Sequence, residues 1–250
     1  MPEPNYLDTP QGRRIGYHRS DGQAPCVVFL GGLKSDMEGT KALHLETWCR
    51  ARGQAFLRFD YSGHGISSGT FEDGCIGGWA EDTFEAVHAL TDGPLIPVGS
   101  SMGGWQALLL ARRIPEGIAG LVTIAAAPDF TEDGYWASFT QEQKDTIEAG
   151  GTVELPSDYM EPYVVTPRMI EDGRRNLVLR DPLALPFPVR CLQGTADTAV
   201  STQTALRLLD HARCPDMRLT LVKDADHRFS DPPCLGLIED AVAEIIDMAG

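Results

Sequence analysis

Apolar runs of strand length alternate with amphipathic stretches of helix length through most of this chain. The apolar runs stand at residues 25–30, 55–60, 95–98, 120–127, 189–193 and 218–222. Helical spacing occurs at residues 40–52, 79–90, 105–112, 202–212 and 235–248. Continuous apolar runs are typical of strands buried on both faces, and their alternation with helices favours right-handed βαβ crossovers. The pattern predicts a single α/β domain over residues 1–250, with a mostly parallel central sheet flanked by helices.

Two parts of the chain depart from this alternation. Residues 5–20 are polar and punctuated by turn residues, which predicts an amino-terminal hairpin. Residues 128–188 contain no buried apolar strand and are rich in charged, aromatic and proline residues. Because such a segment is too long for a plain loop, we expect an inserted lid over the carboxyl ends of the strands. Short helices near 135–148 and 166–179 are expected to flank an extended piece at 155–165.

A predicted strand turns sharply into a predicted helix at Gly99-Ser100-Ser101-Met102-Gly103. In a Gly-X-Ser-X-Gly turn the serine has strained backbone geometry, and only small neighbours avoid a collision. The N–H of Met102 lies at the start of the helix, where the helix dipole helps it to donate to an oxyanion. We predict that Ser101 is a catalytic nucleophile and that Met102 provides one oxyanion donor. A plain Gly/Ser-rich loop is the alternative.

A second oxyanion donor is expected where the first long buried strand ends. Residues 25–30 run directly into Gly31-Gly32-Leu33-Lys34. Glycines at the carboxyl end of a buried strand let the backbone approach a ligand closely. The sequence therefore predicts the backbone N–H of Leu33 as the second donor, with an ordinary turn as the alternative.

A serine hydroxyl needs a base within hydrogen-bond reach and a third group that fixes the tautomer of that base. In α/β-hydrolases the acid follows a late strand and the histidine follows the last strand. Asp197 and His227 stand at those two predicted positions. Asp226 is the reserve for the acid. His64 lies in a glycine-punctuated loop and is expected to structure that loop or the edge of the pocket.

Composition bears on the expected partners more than on the fold. The 250 residues carry 36 Asp and Glu against 21 Lys and Arg, which gives a formal net charge of −15. Such a charge repels polyanions, so neither nucleic acid nor an anionic membrane surface is an expected partner. No run reaches transmembrane length, so membrane insertion is not expected either. The six cysteines stand singly, which favours reduced, partly buried thiols over disulfides or zinc ligands.

Cofactor chemistry is not indicated by any glycine motif in the sequence. There is no phosphate-cradling Gly-Lys-Ser/Thr motif, and no dinucleotide-binding Gly-X-Gly-X-X-Gly follows the first long strand. We therefore expect neither a metal nor an organic cofactor, and the partner should be a small-molecule acyl substrate.

Candidate pocket residues come from two places. Gly32 and Lys34 belong to the loop after the first buried strand. In residues 128–188, aromatic side chains are suited to wall an apolar acyl or aryl pocket, and an arginine is suited to receive a carboxylate or phosphate. The aromatics equally suit the core of that segment, and the arginines a solvated helix face. The candidates are Tyr135, Trp136, Tyr159, Tyr163 and Arg168.

Four motifs make the chain resemble a known branch of the α/β-hydrolase family. They are Gly39-Thr40-Lys41-Ala42, Phe59-Asp60-Tyr61-Ser62-Gly63-His64-Gly65, Val98-Gly99-Ser100-Ser101-Met102-Gly103-Gly104-Trp105 and Asp226-His227-Arg228. The sequence is similar, over most of its length, to the branch that contains the animal mitochondrial acyl-protein thioesterase, which also hydrolyses acyl glucuronides. The resemblance implies Ser101, Asp197 and His227 as nucleophile, acid and base, in agreement with the assignment from chain order.

The chain departs from this branch in two features. It has Gly31-Gly32 where His-Gly or Pro-Gly is commoner in such hydrolases, and we expect it to lack the mitochondrial targeting segment. The amino terminus carries neither a signal-peptide pattern nor a transit pattern, so a cytoplasmic, bacterial-type relative is expected. The resemblance is weakest in residues 128–188, which would set the choice of substrate.

Together these features predict a serine hydrolase, a monomer or homodimer, that cleaves carboxylic esters or thioesters of small to medium acyl substrates. The reaction would pass through an acyl-enzyme on Ser101. The same three residues also serve lactone hydrolases and carbon–carbon bond hydrolases, and the fold can serve as a small-molecule receptor with little turnover. Turnover of a generic activated ester separates an enzyme from a receptor.

Overall fold

The computed structural model describes residues 3–156 and 162–249. Its strands are β1 (Asn5–Asp8), β2 (Arg14–Ser20), β3 (Gln23–Leu30), β4 (Gln54–Phe59), β5 (Leu95–Ser100), β6 (Leu121–Ile124), β7 (Val153–Leu155), β8 (Tyr163–Val165), β9 (Leu183–Ala184), β10 (Val189–Gly194), β11 (Ala212–Arg213) and β12 (Met217–Val222). Its α-helices are α1 (Thr40–Ala51), α2 (Ile76–Leu90), α3 (Met102–Arg113), α4 (Gln141–Glu148), α5 (Pro167–Arg175), α6 (Thr202–His211) and α7 (Pro232–Ala249).

Eight of these strands form the central sheet, in the order β1-β2-β4-β3-β5-β6-β10-β12. Every neighbouring pair from β4 to β12 is parallel, whereas β1 with β2 and β2 with β4 are antiparallel. The mostly parallel sheet and the amino-terminal hairpin predicted from the sequence are both confirmed. Because the strands are parallel, their carboxyl ends lie along one edge of the sheet, where the loops that follow them meet.

The continuous apolar run of β3 serves both faces of the sheet, since successive side chains of a strand point to opposite sides. Cys26, Val28 and Leu30 pack into the cluster that includes side chains of α2 and α3. Val27 and Phe29 pack into the cluster that includes side chains of α1 and α7. Helices on both faces therefore bury the sheet, as the sequence pattern predicts.

The strand predicted at residues 120–127 is shorter in the structure, where β6 ends at Ile124. Ala125 has a φ of 47°, a left-handed conformation that no regular strand accommodates. The chain therefore leaves the sheet three residues before the predicted end, at the level of Ser101.

Residues 128–188 lie between β6 and β10 and contain short elements, as expected, with shifted bounds. A π-helical turn occupies Thr131–Trp136, and α4 begins only at Gln141. Thr140 fixes this start, because its hydroxyl accepts from the Gln143 N–H at 3.2 Å while the Gln143 amide oxygen accepts from the Thr140 N–H at 2.9 Å. Of the extended piece expected at 155–165, residues 157–161 lie outside the described residues. The antiparallel strands β7, which begins two residues before the expected start, and β8 lie on either side of them.

Asp129 anchors the beginning of this segment to its later part. The Asp129 side chain is fully buried and accepts hydrogen bonds from the backbone N–H groups of Val178 at 2.8 Å and Leu179 at 3.0 Å. These bonds explain why the helix predicted at 166–179 ends earlier, with α5 stopping at Arg175. Arg180 adds an ion pair at 3.2 Å. Burial raises the pKa of Asp129, whereas the two backbone donors and Arg180 lower it, and the net shift is upward.

Three expectations about the whole chain can be compared with the described residues. All six cysteines have free thiols in the structure, five of them buried, and their redox state stays a prediction. No helix in residues 3–156 and 162–249 is long and apolar enough to cross a membrane. The same ranges contain no group of three or more His, Cys, Asp or Glu side chains arranged to hold a metal ion.

Replacing Asp129 by Asn should destabilise the fold, because the amide has one acceptor oxygen for two buried N–H donors. Asn tolerates the φ of 58° at this position, so the change adds no backbone strain and removes an acceptor oxygen together with the charge that pairs with Arg180. We expect the free energy of unfolding to fall by about 1–3 kcal/mol in a urea titration. Asp133→Asn, at a partly exposed carboxylate of the same segment, is the matched control and should cost less than about 1 kcal/mol. Equal losses in the two variants would contradict the role assigned to Asp129.

Candidate active site

Ser101 occupies a strained turn between β5 and α3, with φ 56° and ψ −119°. Such a conformation is unfavourable for a residue with a side chain and persists only where the surroundings impose it. A Cβ on Gly99 would lie 2.2 Å from the Gly103 carbonyl oxygen, and one on Gly103 would lie 2.0 Å from the Leu30 carbonyl oxygen. A Cβ on Gly104 would lie 2.5 Å from the Ala126 Cβ. The glycines of the predicted motif are therefore required for the turn to pack against its neighbours.

Both the backbone N–H and the backbone carbonyl of Ser101 form hydrogen bonds. The Ser101 N–H donates to the Ile124 carbonyl at 2.9 Å, and the Ser101 carbonyl accepts from Gly104 at 2.9 Å and from Ala127 at 3.0 Å. Two of these three partners belong to β6 or the residues just after it. The sheet and the first turn of α3 thus fix the direction in which the Ser101 side chain points.

The three residues assigned from chain order lie in contact in the structure. The Ser101 Oγ is 3.1 Å from the Nε2 of His227, although 126 positions separate the two residues in the chain. The His227 Nδ1 is 2.8 Å from the Oδ2 of Asp197. Ser101 follows β5, Asp197 follows β10 and His227 follows β12, so all three belong to the loops at the carboxyl edge of the sheet.

Asp197 is surrounded by hydrogen-bond donors. Its Oδ1 accepts from the N–H groups of Ala199 at 2.9 Å and Val200 at 2.7 Å, and its Oδ2 accepts from the Gln193 side-chain amide at 3.0 Å. Burial by itself would raise the pKa of Asp197, but the bonds from His227, Val200 and Gln193 outweigh it, so that the pKa lies below its ordinary value. Asp197 is therefore ionised at neutral pH and acts only as an acceptor toward His227.

Asp226, the reserve for the acid, has another partner. Its Oδ1 accepts from the Phe229 N–H at 3.1 Å, across its own loop. The geometry thus favours Asp197 as the partner of His227.

His64 is buried among aromatic rings rather than exposed in a pocket. Its ring lies edge-on to Tyr61, Phe71 and Trp79, with centroid distances of 5.2–5.6 Å. Its Nδ1 lies 3.2 Å from the Ser62 carbonyl oxygen. Burial lowers its pKa, so the ring is neutral at physiological pH. Of the two readings of the sequence, structuring of the loop describes His64 better than an edge of the pocket.

The loop that carries the expected second oxyanion donor turns next to Ser101. A Cβ on Gly32 would lie 3.4 Å from the Ser101 Cβ, and the Ser35 N–H donates to the Gly32 carbonyl at 3.1 Å. Leu33 is buried inside this turn, and Lys34 completes it with a φ of 57°. Met102 is the first residue of α3, so its N–H has no acceptor within the helix. Both expected donors therefore adjoin Ser101, Met102 at the start of α3 and Leu33 in the turn after β3.

The candidate pocket residues lie in varied surroundings. The Lys34 Nζ donates to the Pro162 carbonyl at 3.0 Å, so this loop contacts the segment 128–188. Tyr135 and Tyr163 are half-buried and pack against the core that includes α2 and α3, and burial, followed by the proximity of Tyr163, raises the pKa of the Tyr135 hydroxyl. Arg168 is exposed and hydrogen-bonded to Cys75. Their contact with a substrate stays a prediction.

Two further aromatic candidates complete the set. Trp136 carries the Arg174 guanidinium 4.4 Å and the Lys144 ammonium 5.5 Å from its ring centroid. These contacts tie together α4, α5 and the π-helical turn, which favours a role in the core of the segment. Tyr159 lies outside the described residues.

Sequence reasoning did not identify two residues that brace the site. Gln193, in β10, donates a hydrogen bond to Asp197. The sequence signal that could have found it is a polar amide within the apolar run 189–193, directly before Gly194. Asp60 accepts from the N–H groups of Met37 at 2.6 Å and Ile66 at 2.9 Å. Asp60 thereby joins two loops near the carboxyl edge, a role that its place in the Phe59–Gly65 motif does not reveal.

Comparisons with known proteins bear on the family to which the chain belongs. The model of the alpha/beta hydrolase family matches residues 48–245. The mitochondrial palmitoyl-protein thioesterase ABHD10 of Bos taurus is 34% identical over 248 residues, which cover 97% of this chain and 80% of the relative. The Homo sapiens protein of the same name is 34% identical over 245 residues, with the same coverage. The structure of alpha/beta hydrolase domain-containing protein 10 from mouse superposes with a TM-score of 0.92 at 31% identity, and the match covers 100% of both chains.

These relatives confirm the branch predicted from the four sequence motifs and the expectation of a hydrolase. The names of the bovine and human relatives place them in mitochondria, which conflicts with the cytoplasmic location expected from the amino terminus. That location stays a prediction. Because the family model spans most of the chain and the relatives match nearly all of it, the chain belongs to the alpha/beta hydrolase family.

Proposed function

We propose that this chain is a serine hydrolase that cleaves carboxylic esters or thioesters through an acyl group carried on Ser101. One observation carries the proposal. The Ser101 hydroxyl, held in a strained turn, lies 3.1 Å from a histidine whose other ring nitrogen lies 2.8 Å from a fully buried carboxylate. An ionised Asp197 selects the tautomer of His227 with the proton on Nδ1, which leaves Nε2 free to accept the serine proton.

The reaction proceeds in two halves. The Ser101 Oγ attacks the carbonyl carbon of the substrate while its proton passes to His227 Nε2, and Asp197 stabilises the imidazolium that forms. The tetrahedral intermediate expels the alcohol or thiol, which takes the proton from Nε2. Water then attacks the acyl-enzyme and gives a proton to Nε2. Collapse of the second intermediate returns that proton to Ser101 and releases the carboxylic acid.

The negative charge of each intermediate requires donors that are already oriented. The Met102 N–H lies at the amino terminus of α3, where the helix dipole adds positive potential. The Leu33 N–H belongs to the turn beside Ser101, and Gly32 leaves the space that a substrate carbonyl needs. We assign these two N–H groups to the oxyanion.

The acyl group of the substrate is proposed to be of small to medium size. The more specific proposal is that the substrate is a thioester of a fatty acid. Relatives 34% identical to this chain are named palmitoyl-protein thioesterases, which supports thioesters among the substrates. The hydrogen bond from Lys34 to Pro162 joins the segment 128–188 to the loop beside Ser101, as expected of a lid. We propose that this segment covers the site and selects the acyl chain.

The variant Ser101→Ala should lose covalent labelling by a fluorophosphonate probe and all turnover of p-nitrophenyl esters, since no nucleophile remains. Intact mass spectrometry should find one adduct on the wild type and none on the variant, with thermal unfolding unchanged. Ser100→Ala, at the buried neighbour in β5, is the matched control and should keep the adduct. A folded wild type that neither labels nor turns over ester would favour the receptor alternative.

Asp197→Asn should lower kcat on the order of 10⁴-fold, because an amide no longer holds His227 in the tautomer that accepts the serine proton. Steady-state kinetics with one activated ester measures this effect. Asp226→Asn is the control and should stay near the wild-type rate. The opposite ranking of the two variants would show that Asp226 is the acid.

Gly32→Ala should slow acylation, because the added methyl group lies 3.4 Å from the Ser101 Cβ, where the substrate carbonyl must pass. Gly31→Ala places its methyl group no nearer than 3.9 Å to any neighbour, the Ser35 Cβ, and serves as the matched control. We expect kcat/KM for a series of acyl esters to fall in Gly32→Ala, most for branched acyl groups, and to change little in Gly31→Ala. An equal fall of kcat/KM in the two variants would contradict the assignment of the Leu33 N–H in this turn to the oxyanion.

A further inference from the structure

A lysine on α1 contacts the loop that carries His227. The Lys41 Nζ donates to the main-chain carbonyl of Arg228, the residue that follows His227. Lys41 belongs to the Gly39-Thr40-Lys41-Ala42 motif, to which the proposed reaction assigns no role. We propose that Lys41 is a positioning residue, which holds the main chain at Arg228 and thereby keeps His227 Nε2 aimed at the Ser101 hydroxyl. This inference rests on the proposed function.

The main chain on the other side of His227 is held by different contacts. The Ala225 carbonyl accepts from the Ala196 N–H at 3.0 Å, in the loop that carries Asp197. A Cβ on Gly194 would lie 2.2 Å from the same carbonyl oxygen, so the two loops pack without space for a side chain. His227 is therefore fixed upstream by β10 and its loop. Downstream, Lys41 supplies the corresponding contact.

The loop needs such contacts because its own backbone is strained. Asp224 has a φ of 61° and Phe229 a φ of 49°, conformations that side-chain-bearing residues adopt only when the surroundings hold them. Phe229 is fully buried, and its N–H donates to Asp226. His227 lies between these two strained positions, so relaxation at either one would rotate the imidazole.

The surroundings of Lys41 favour a directed hydrogen bond over a mobile surface charge. Burial is the main cause that lowers the pKa of Lys41 to about 8, with the Arg228 charge acting in the same direction. Asp226 and Cys234 oppose this shift. In either protonation state the amine keeps hydrogens to donate, and in a half-buried position the Arg228 carbonyl replaces water as its acceptor.

The same helix provides a matched control. His44 stands one turn further along α1, and its Nε2 lies 2.5 Å from the Glu239 Oε1 on α7. Both contacts join α1 to the carboxyl-terminal part of the chain, but only that of Lys41 reaches the loop of His227. A variant of His44 therefore reports what the loss of a stabilising contact does without loosening that loop.

The experiment compares Lys41→Met, Lys41→Arg and His44→Gln with the wild type. Methionine keeps most of the length of the side chain but has no donor, whereas arginine keeps a donor for the Arg228 carbonyl. We expect Lys41→Met to lower kcat and the rate of fluorophosphonate labelling on the order of 10²-fold, as misplaced catalytic groups do, with KM little changed. Lys41→Arg should recover most of this loss. His44→Gln should lower the unfolding temperature and leave kcat near that of the wild type.

A measurement made without substrate, the proton NMR signal of His227, separates the positioning of His227 from the rate of the reaction. We expect the His227 Nδ1–H, held against Asp197, to give a low-field proton resonance in the wild type. This signal should broaden through solvent exchange in Lys41→Met but not in His44→Gln. Lys41→Met that matches His44→Gln in rate and resonance would overturn the role of Lys41. Lys41→Arg as slow as Lys41→Met would overturn it too. A wild type without hydrolysis, with the resonance still sensitive to Lys41, would instead overturn the proposed function.

Discussion

The architecture of the site depends on a single strained residue, Ser101, at the junction of β5 and α3. Its positive φ aims the hydroxyl away from the sheet, and it persists because Gly99, Gly103 and Gly104 let the turn pack against its own helix, the end of β3 and Ala126. Any side chain at these glycines would push the turn out of the sheet. The strain is therefore maintained by close backbone packing that involves three neighbouring strands, and a change in any of them moves Ser101.

The parallel sheet makes the rest of the constellation possible. His227 lies 30 positions from Asp197 and 126 from Ser101 in the chain, yet each follows the carboxyl end of a strand on the same edge. Contacts between the loops then set the final distances. Gln193 orients the carboxylate, and Lys41 holds the loop of the histidine from a helix on one face of the sheet. In the proposed reaction, the groups that react are thus held in place by residues outside the three-residue site, such as Gln193 and Lys41.

Sequence reasoning found what local patterns encode. The apolar runs predicted the strands. The Gly-X-Ser-X-Gly turn and the chain order predicted Ser101, Asp197 and His227, whose side chains lie in contact in the structure and whose catalytic roles stay a prediction. It did not find the contacts of Gln193 and Lys41, because these contacts depend on which loops meet in three dimensions. It also extended the helix at residues 166–179 too far, because burial of Asp129 beside Val178 and Leu179 is a tertiary contact that ends it early. The bounds of the elements in segment 128–188 depend on how that segment packs against the core, which the local sequence pattern does not encode.

The central claim is that esters and thioesters react through one common acyl-enzyme. The most direct test is the ratio of carboxylic acid to methyl ester formed in aqueous methanol from substrates that share an acyl group and differ in their leaving group. A common intermediate partitions between water and methanol after the leaving group has gone, so this account predicts the same ratio for every alcohol and thiol. A ratio that changes with the leaving group would contradict it, since water would then attack the substrate directly.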